Sequence, residues 1–127
     1  MDLFKLLLVG GGGFVGCILR YLTVQTVDLK LNSLFPYGTL IVNIVGSLLL
    51  GIIYGWLSQK SDGSQNLKLL LATGFCGGFT TFSAFAFENF RLMEQKFVSV
   101  SLIYMMISLI LGVLAIAVGL WIARSLS

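Results

Sequence analysis

The chain has 127 residues, 57% of them hydrophobic and 10% charged, with no histidine, two cysteines and a formal net charge of +3. Charged residues make up about a quarter of an ordinary soluble domain. Together with a mean hydropathy of +1.00, this composition excludes such a domain and implies an all-α integral membrane protein, with one domain over residues 1–127. The positive charge falls in no basic run or aromatic-interleaved patch, which sets nucleic acid aside and points to anionic lipid or an anionic solute.

A helix needs about 20 mostly apolar residues to span the hydrocarbon core, and four stretches qualify. The first runs from about Leu3 to Val27. It is too long for a signal-peptide core of roughly 7–15 residues and is read as a helix. It contains "GGGFVG" at residues 11–16, a match to the dinucleotide-binding pattern, which requires a strand before it and an acid on a second strand. Neither fits an apolar run, so the glycines are expected to let this helix pack closely. Cys17 and Cys76 both fall in apolar segments and are expected to be small buried residues, not disulfide or zinc ligands.

The second stretch, from about Gly38 to Leu57, follows Pro36, the only proline, which is harmless ahead of a helix. Thr39, Asn43, Ser47, Gly51 and Gly55 recur every fourth residue and form a small or polar stripe on one face. Close packing accounts for the glycines. A carboxamide in mid-membrane is costly unless it is hydrogen-bonded or faces water, so Asn43 is a candidate functional residue.

The third stretch, roughly Leu67 to Met93, is longer than one straight span requires, with Asn66 or Ser64 as candidate N-caps. At its centre stands "GFCGGFTTFSAF", residues 74–85. Consecutive glycines favour a helix break, expected here from Gly77 to Thr80. Irregular backbone at membrane depth is tolerated only inside protein or beside a polar cavity, where freed carbonyls can hold a cation and a half-helix N-terminus can attract an anion. Phe82 and Phe85 share a helical face. Their positive ring edges, beside Asn43 and the hydroxyls of Thr39, Ser83, Tyr104 and Ser108, suit a small anion. The fourth stretch, roughly Val98 to Ile122, carries Tyr104, Ser108 and Gly112 on one face.

Catalysis is not expected. Histidine is absent, and Asp2, Asp28, Asp62, Glu88 and Glu94 are read as lying in loops or near helix ends, with no base to activate a serine or threonine. Lysine and arginine bias sets membrane orientation. Here Lys5, Lys60, Lys68 and Arg124 on one side oppose Arg20, Lys30, Arg91 and Lys96 on the other, four against four. A chain without preference can insert both ways and pair as an antiparallel dual-topology homodimer, with sites near the midplane.

Three stretches, "GGGFVGCILRY", "YGTLIVNIVGSLLLG" and "TGFCGGFTTFSAFAFE", with Tyr104 and Ser108 following, resemble the Fluc (CrcB) family of fluoride channels over nearly the whole chain. The resemblance implies a multi-pass protein of the bacterial inner membrane that exports fluoride passively, as a homodimer with two antiparallel pores and a central structural sodium ion. It implies Phe82 and Phe85 as ring-edge fluoride ligands, Asn43 as amide donor, and Tyr104 and Ser108 as the continuing polar track. The carbonyls of Gly77 and Thr80 would hold sodium, with Arg20 at the vestibule and Glu88 near the pore mouth. Two positions depart from the family pattern: Ala84, where a threonine is usual, and Gly112, where a second serine is usual. Two other readings are a small dual-topology drug-efflux carrier, which needs a membrane-embedded carboxylate, and a non-transporting assembly subunit, which leaves Asn43 without a role.

Overall fold

The computed structural model describes residues 2–60 and 64–126, and among these all regular structure is helical. The loop position of Asp62 and the capping role of the Ser64 side chain lie outside the described residues. Helix α1 is Leu3–Leu31 and α2 is Tyr37–Leu57. Helix α3 covers residues 64–79, α4 is Ser83–Glu94 and α5 is Val98–Ser125. Four spans, Leu3–Leu31, Tyr37–Leu57, Gln65–Glu94 and Val98–Ser125, are long and apolar enough to cross a membrane; α3 and α4 together make the third. Phe14, Leu109 and Trp121 are each about two-thirds exposed, an outward apolar surface that suits lipid as solvent and is unusual in a water-soluble monomer.

Helix α1 runs beyond Val27, because Asp28 and Lys30 lower the local hydropathy without preventing helix. Asp2 accepts a hydrogen bond from the Phe4 N–H at its start. At its end Asn32 adopts the left-handed conformation (φ 43°, ψ 53°), and its N–H donates to the Asp28 carbonyl, as C-caps of this type do. The turn from α4 into α5 also uses a left-handed residue, Lys96 (φ 69°), with the Phe97 N–H donating to the Leu92 carbonyl at 2.7 Å.

Glycine sets how the spans meet. On α1, a Cβ at Gly12 or Gly16 would strike the Leu70 or Phe75 carbonyl of α3, and one at Gly78 would lie 2.6 Å from the Gly13 carbonyl. On the other side of the molecule, Gly51 and Gly119 bring α2 and α5 together: a Cβ on Gly119 would fall 2.8 Å from the Ile52 N. The result is two closely apposed pairs, α1 with α3 and α2 with α5, as small residues permit between membrane helices. Leu40, Leu92 and Tyr104 form the buried core between α2, α4 and α5, with Phe85 packed against them.

Several expectations need correction. Asn66 does not cap the third span, since it lies within helical residues Ser64–Leu67. Of the break expected from Gly77 to Thr80, only the end is irregular: Gly77 and Gly78 are helical, with Gly77 at φ −62° and ψ −36°, and at Gly78 the missing side chain serves the contact with α1 instead of a turn. Residues Lys68–Cys76 take wide π-helical turns, a form often found at functional sites. Regular helix stops at Phe79, Thr80 is extended (φ −89°, ψ 160°), and helix resumes at Ser83. Cys76 is buried as expected, but Cys17 is exposed on the outer face of α1.

Candidate functional site

The irregular residues 80–82 are held by α2. The Thr81 N–H donates to Asn43 Oδ1 at 2.9 Å, and Asn43 Nδ2 donates back to the Thr81 carbonyl at 3.1 Å. Asn43 thereby replaces both helical bonds that Thr81 gives up. The Thr81 hydroxyl accepts from the Ala84 N–H at 3.1 Å and caps the start of α4, as threonine does at helix N-termini. Thr80 folds back on the preceding turn, its N–H and hydroxyl both donating to the Cys76 carbonyl.

These bonds leave two carbonyls without their helical donors. The Thr81 N–H, the regular donor to Gly77, is committed to Asn43, and the Ala84 N–H, the regular donor to Thr80, is committed to Thr81. Gly78 is treated differently, since its carbonyl accepts from Arg20 Nε at 3.0 Å. That bond draws the Arg20 guanidinium inward against α3.

Beside this turn lies an open cavity of about 590 Å³ between α2, the end of α3 and α5. Asn43, Gly77, Thr80, Phe82, Phe85 and Ser108 line it, so six of the residues singled out from the sequence meet here. An amide nitrogen carries two donors. One Asn43 N–H goes to Thr81, and the other, on a residue that lines the cavity, makes no hydrogen bond among the described residues. The Ser108 hydroxyl oxygen is shut off from solvent and has no hydrogen-bond partner. Phe82 and Phe85 stand with ring centroids 6.1 Å apart at a 45° tilt. Phe82 is 79% exposed and projects beyond the chain's own surface. No acidic or basic side chain is in the lining.

Thr39, Tyr104 and Glu88 form a separate cluster. Thr39 Oγ1 donates to Glu88 Oε2 at 2.7 Å, and the Tyr104 hydroxyl donates to Oε1 at 2.8 Å. Each carboxylate oxygen thus has a donor. Tyr104 and Thr39 are buried, and Phe85 bridges the cluster to the cavity, its ring 5.0 Å from that of Tyr104. Glu88 lies six residues inside the third span's end at Glu94, deeper than a helix-end position. It also reaches a smaller pocket of about 210 Å³ shared with Arg91 and Gln95. Ser83 sits exposed at the start of α4 and does not line the cavity.

Sequence reasoning missed the part played by Thr81, whose three polar groups all bond outside regular helix. It also left the pair Asn89 and Ser101 unremarked. Ser101 Oγ donates to Asn89 Oδ1 at 2.7 Å, while Asn89 Nδ2 donates to the Phe85 carbonyl. The signal for Asn89 was available, since a carboxamide within an apolar span requires partners.

Residues 7–120 match the family described as CrcB-like protein, Camphor Resistance (CrcB). The chain belongs to the CrcB family. It is 42% identical over 115 residues to a protein of Flavobacterium psychrophilum named fluoride-specific ion channel FluC, covering 91% of this chain and 93% of the relative. A protein of the same name from Chelativorans sp. is 43% identical over 98% of this chain and 99% of its own length. A third, from Caulobacter sp., is 45% identical over 94% of each. With four membrane-capable spans, this CrcB-family chain is a multi-pass protein of a bacterial membrane, and its relatives carry the names of channels, not of enzymes.

Proposed function

We propose that the protein is a fluoride-selective channel. The supporting observation is the cavity in which an Asn43 N–H, the unpartnered Ser108 hydroxyl and the Phe82 and Phe85 rings converge without a carboxylate. Fluoride holds its hydration shell tightly, so a pore must replace water with several donors at once. The near-full-length likeness to relatives named fluoride-specific channels supports the choice of anion. Chloride is excluded by its size and by poor coordination in a narrow pathway.

The working unit in this reading is an antiparallel homodimer with two pores. The cavity is open along the flank of a single chain and Phe82 projects from it, so a second copy would supply the missing wall. The even lysine and arginine count is consistent with insertion in both orientations. Export is passive: HF crosses the bilayer, dissociates inside, and a negative-inside potential drives fluoride out without ATP or a coupled ion.

A structural sodium ion fits the chain's own chemistry. The Gly77 and Thr80 carbonyls have lost their helical donors, and unwound carbonyls of this kind coordinate sodium in membrane proteins. In this reading the ion neutralises those dipoles at the dimer centre. Arg20 is assigned to the vestibule and Glu88 to the pore mouth, where Thr39 and Tyr104 hold its carboxylate still.

Glu88 lies within a span, as a proton-coupled carrier requires, but it does not line the cavity and both oxygens are engaged. That favours the channel over the drug-efflux carrier. The test is ion efflux from liposomes containing purified protein, with fluoride and chloride measured in parallel. Rapid fluoride release with chloride retained is expected; equal release of both, or of neither, overturns the reading.

A further inference from the structure

Two hydroxyls in the cavity have no partner, and they stand on the two apposed helices α2 and α5. The Ser108 hydroxyl oxygen, on α5, is shut off from solvent and unbonded. A buried, unsatisfied hydroxyl costs stability and calls for an explanation. Ser47, on α2, lines the same cavity one turn beyond Asn43. Its hydroxyl does not bond back to the preceding turn as Thr80 does, and no hydrogen bond from it is formed among the described residues.

Gly112 lies between them. It is one turn past Ser108 on α5 and also lines the cavity. A Cβ built on it would stand 3.8 Å from Ser47 Oγ, with no other atom within 4 Å. The glycine is therefore not demanded by close packing, unlike Gly119 on the same helix, where a Cβ would run into α2 backbone. What it provides is a recess bounded by Ser47 on one helix and by the turn that carries Ser108 on the other.

We propose that Ser47, beside the recess at Gly112, adds its hydroxyl to that of Ser108 as a second fluoride station one turn beyond Asn43. This inference rests on the channel reading and extends it with a residue-level claim about Ser47. A hydroxyl donates one hydrogen and rotates to suit its acceptor, so two hydroxyls can together replace two waters of a small anion. The lining contains no carboxylate to repel the ion. An ion leaving Asn43 then meets donors within one helical turn, and spaced sites weak enough to release it are what conduction requires.

The experiment is fluoride efflux from liposomes loaded with Ser47→Ala, Ser47→Thr, Gly112→Ala and Phe82→Ile proteins, each checked for wild-type elution on size exclusion. Loss of one hydrogen bond to a charged group predicts a fall of about tenfold or more in fluoride rate for Ser47→Ala. Ser47→Thr, which keeps the hydroxyl, should recover most of the rate. Gly112→Ala puts a methyl into the recess without striking a neighbour, so it is expected to fold and to slow fluoride about tenfold as well. It keeps the test decisive if Ser47→Ala fails to assemble. Fluoride rates within about twofold of wild type for Ser47→Ala, or for Gly112→Ala, beside a silent Phe82→Ile would overturn the second station and leave the channel intact. A wild-type protein that released no fluoride would overturn both.

Discussion

Asn43 and Thr81 exchange a reciprocal pair of hydrogen bonds, amide to backbone in both directions, at 2.9 and 3.1 Å. A single carboxamide on α2 thus completes the backbone of a turn 38 residues away in sequence, within a span where water cannot do so. Asn43→Asp keeps the acceptor for the Thr81 N–H and removes both amide donors, while adding negative charge at the cavity wall. We expect fluoride efflux to fall by at least tenfold with the elution volume unchanged, measured as liposome flux and size exclusion; wild-type flux would show that Asn43 does not face the ion.

Phe82 is 79% exposed in the isolated chain, so its replacement leaves the fold almost untouched. Phe82→Ile keeps apolar bulk and removes the aromatic edge. The expected result is unchanged thermal stability in detergent with fluoride flux strongly suppressed. Flux at wild-type level would remove the ring from the pathway.

Gly77 has open space around it, since a Cβ there would meet only the Ala72 carbonyl, at 4.0 Å. Within one chain, Gly77→Leu should therefore fold. If Gly77 faces a second copy and a sodium ion, the same change should shift the protein toward monomer on size exclusion and abolish the sodium dependence of its stability. An intact dimer with unaltered sodium dependence would count against the carbonyl site.

Glycines along α1 should divide sharply. A Cβ on Gly16 would strike the Phe75 carbonyl, whereas Gly11 has nothing within 4 Å. Gly16→Ala should destabilise by about 1–3 kcal/mol, the cost of forcing atoms into a packed interface. Gly11→Ala should be neutral or stabilise by roughly 0.5–1 kcal/mol, because glycine weakens a helix interior. Thermal unfolding in detergent measures both, and equal effects would refute the assigned α1–α3 contact.

Thr39 and Tyr104 converge on the two oxygens of one carboxylate. Thr39→Val and Tyr104→Phe should each cost about 1–3 kcal/mol, because a half-buried carboxylate loses one of its donors. A double-mutant cycle should show that the losses do not add, since both act through Glu88. Simple additivity would mean that the carboxylate does not couple them.

Much of this arrangement was legible in the sequence, for identifiable physical reasons. Apolar run length gave the four spans, and the cost of a carboxamide in oil singled out Asn43. What escaped was the partner: no spacing rule connects residue 43 to residue 81, because their contact depends on how α2 and α3 cross. Propensity alone starts the interruption of the third span at Gly77. Packing against α1 keeps Gly78 helical, and regular helix ends instead where Asn43 offers the backbone better partners. Hydropathy ended α1 at Val27 for a related reason. It measures lipid compatibility, and the last turn of that helix needs only backbone bonds and a left-handed cap.

The bonds of Thr81 also decide what moves with what. Its N–H and carbonyl are fastened to α2 and its hydroxyl to the first turn of α4, so the arm bearing Phe82 and Phe85 takes its position from α2. The tie from α3 is the extended backbone at Thr80. Thr80 itself is bonded back to the Cys76 carbonyl, so the backbone changes its allegiance from α3 to α2 between two consecutive residues. Amide and first ring are therefore neighbours by construction, with one residue, Thr81, joining Asn43 to Phe82.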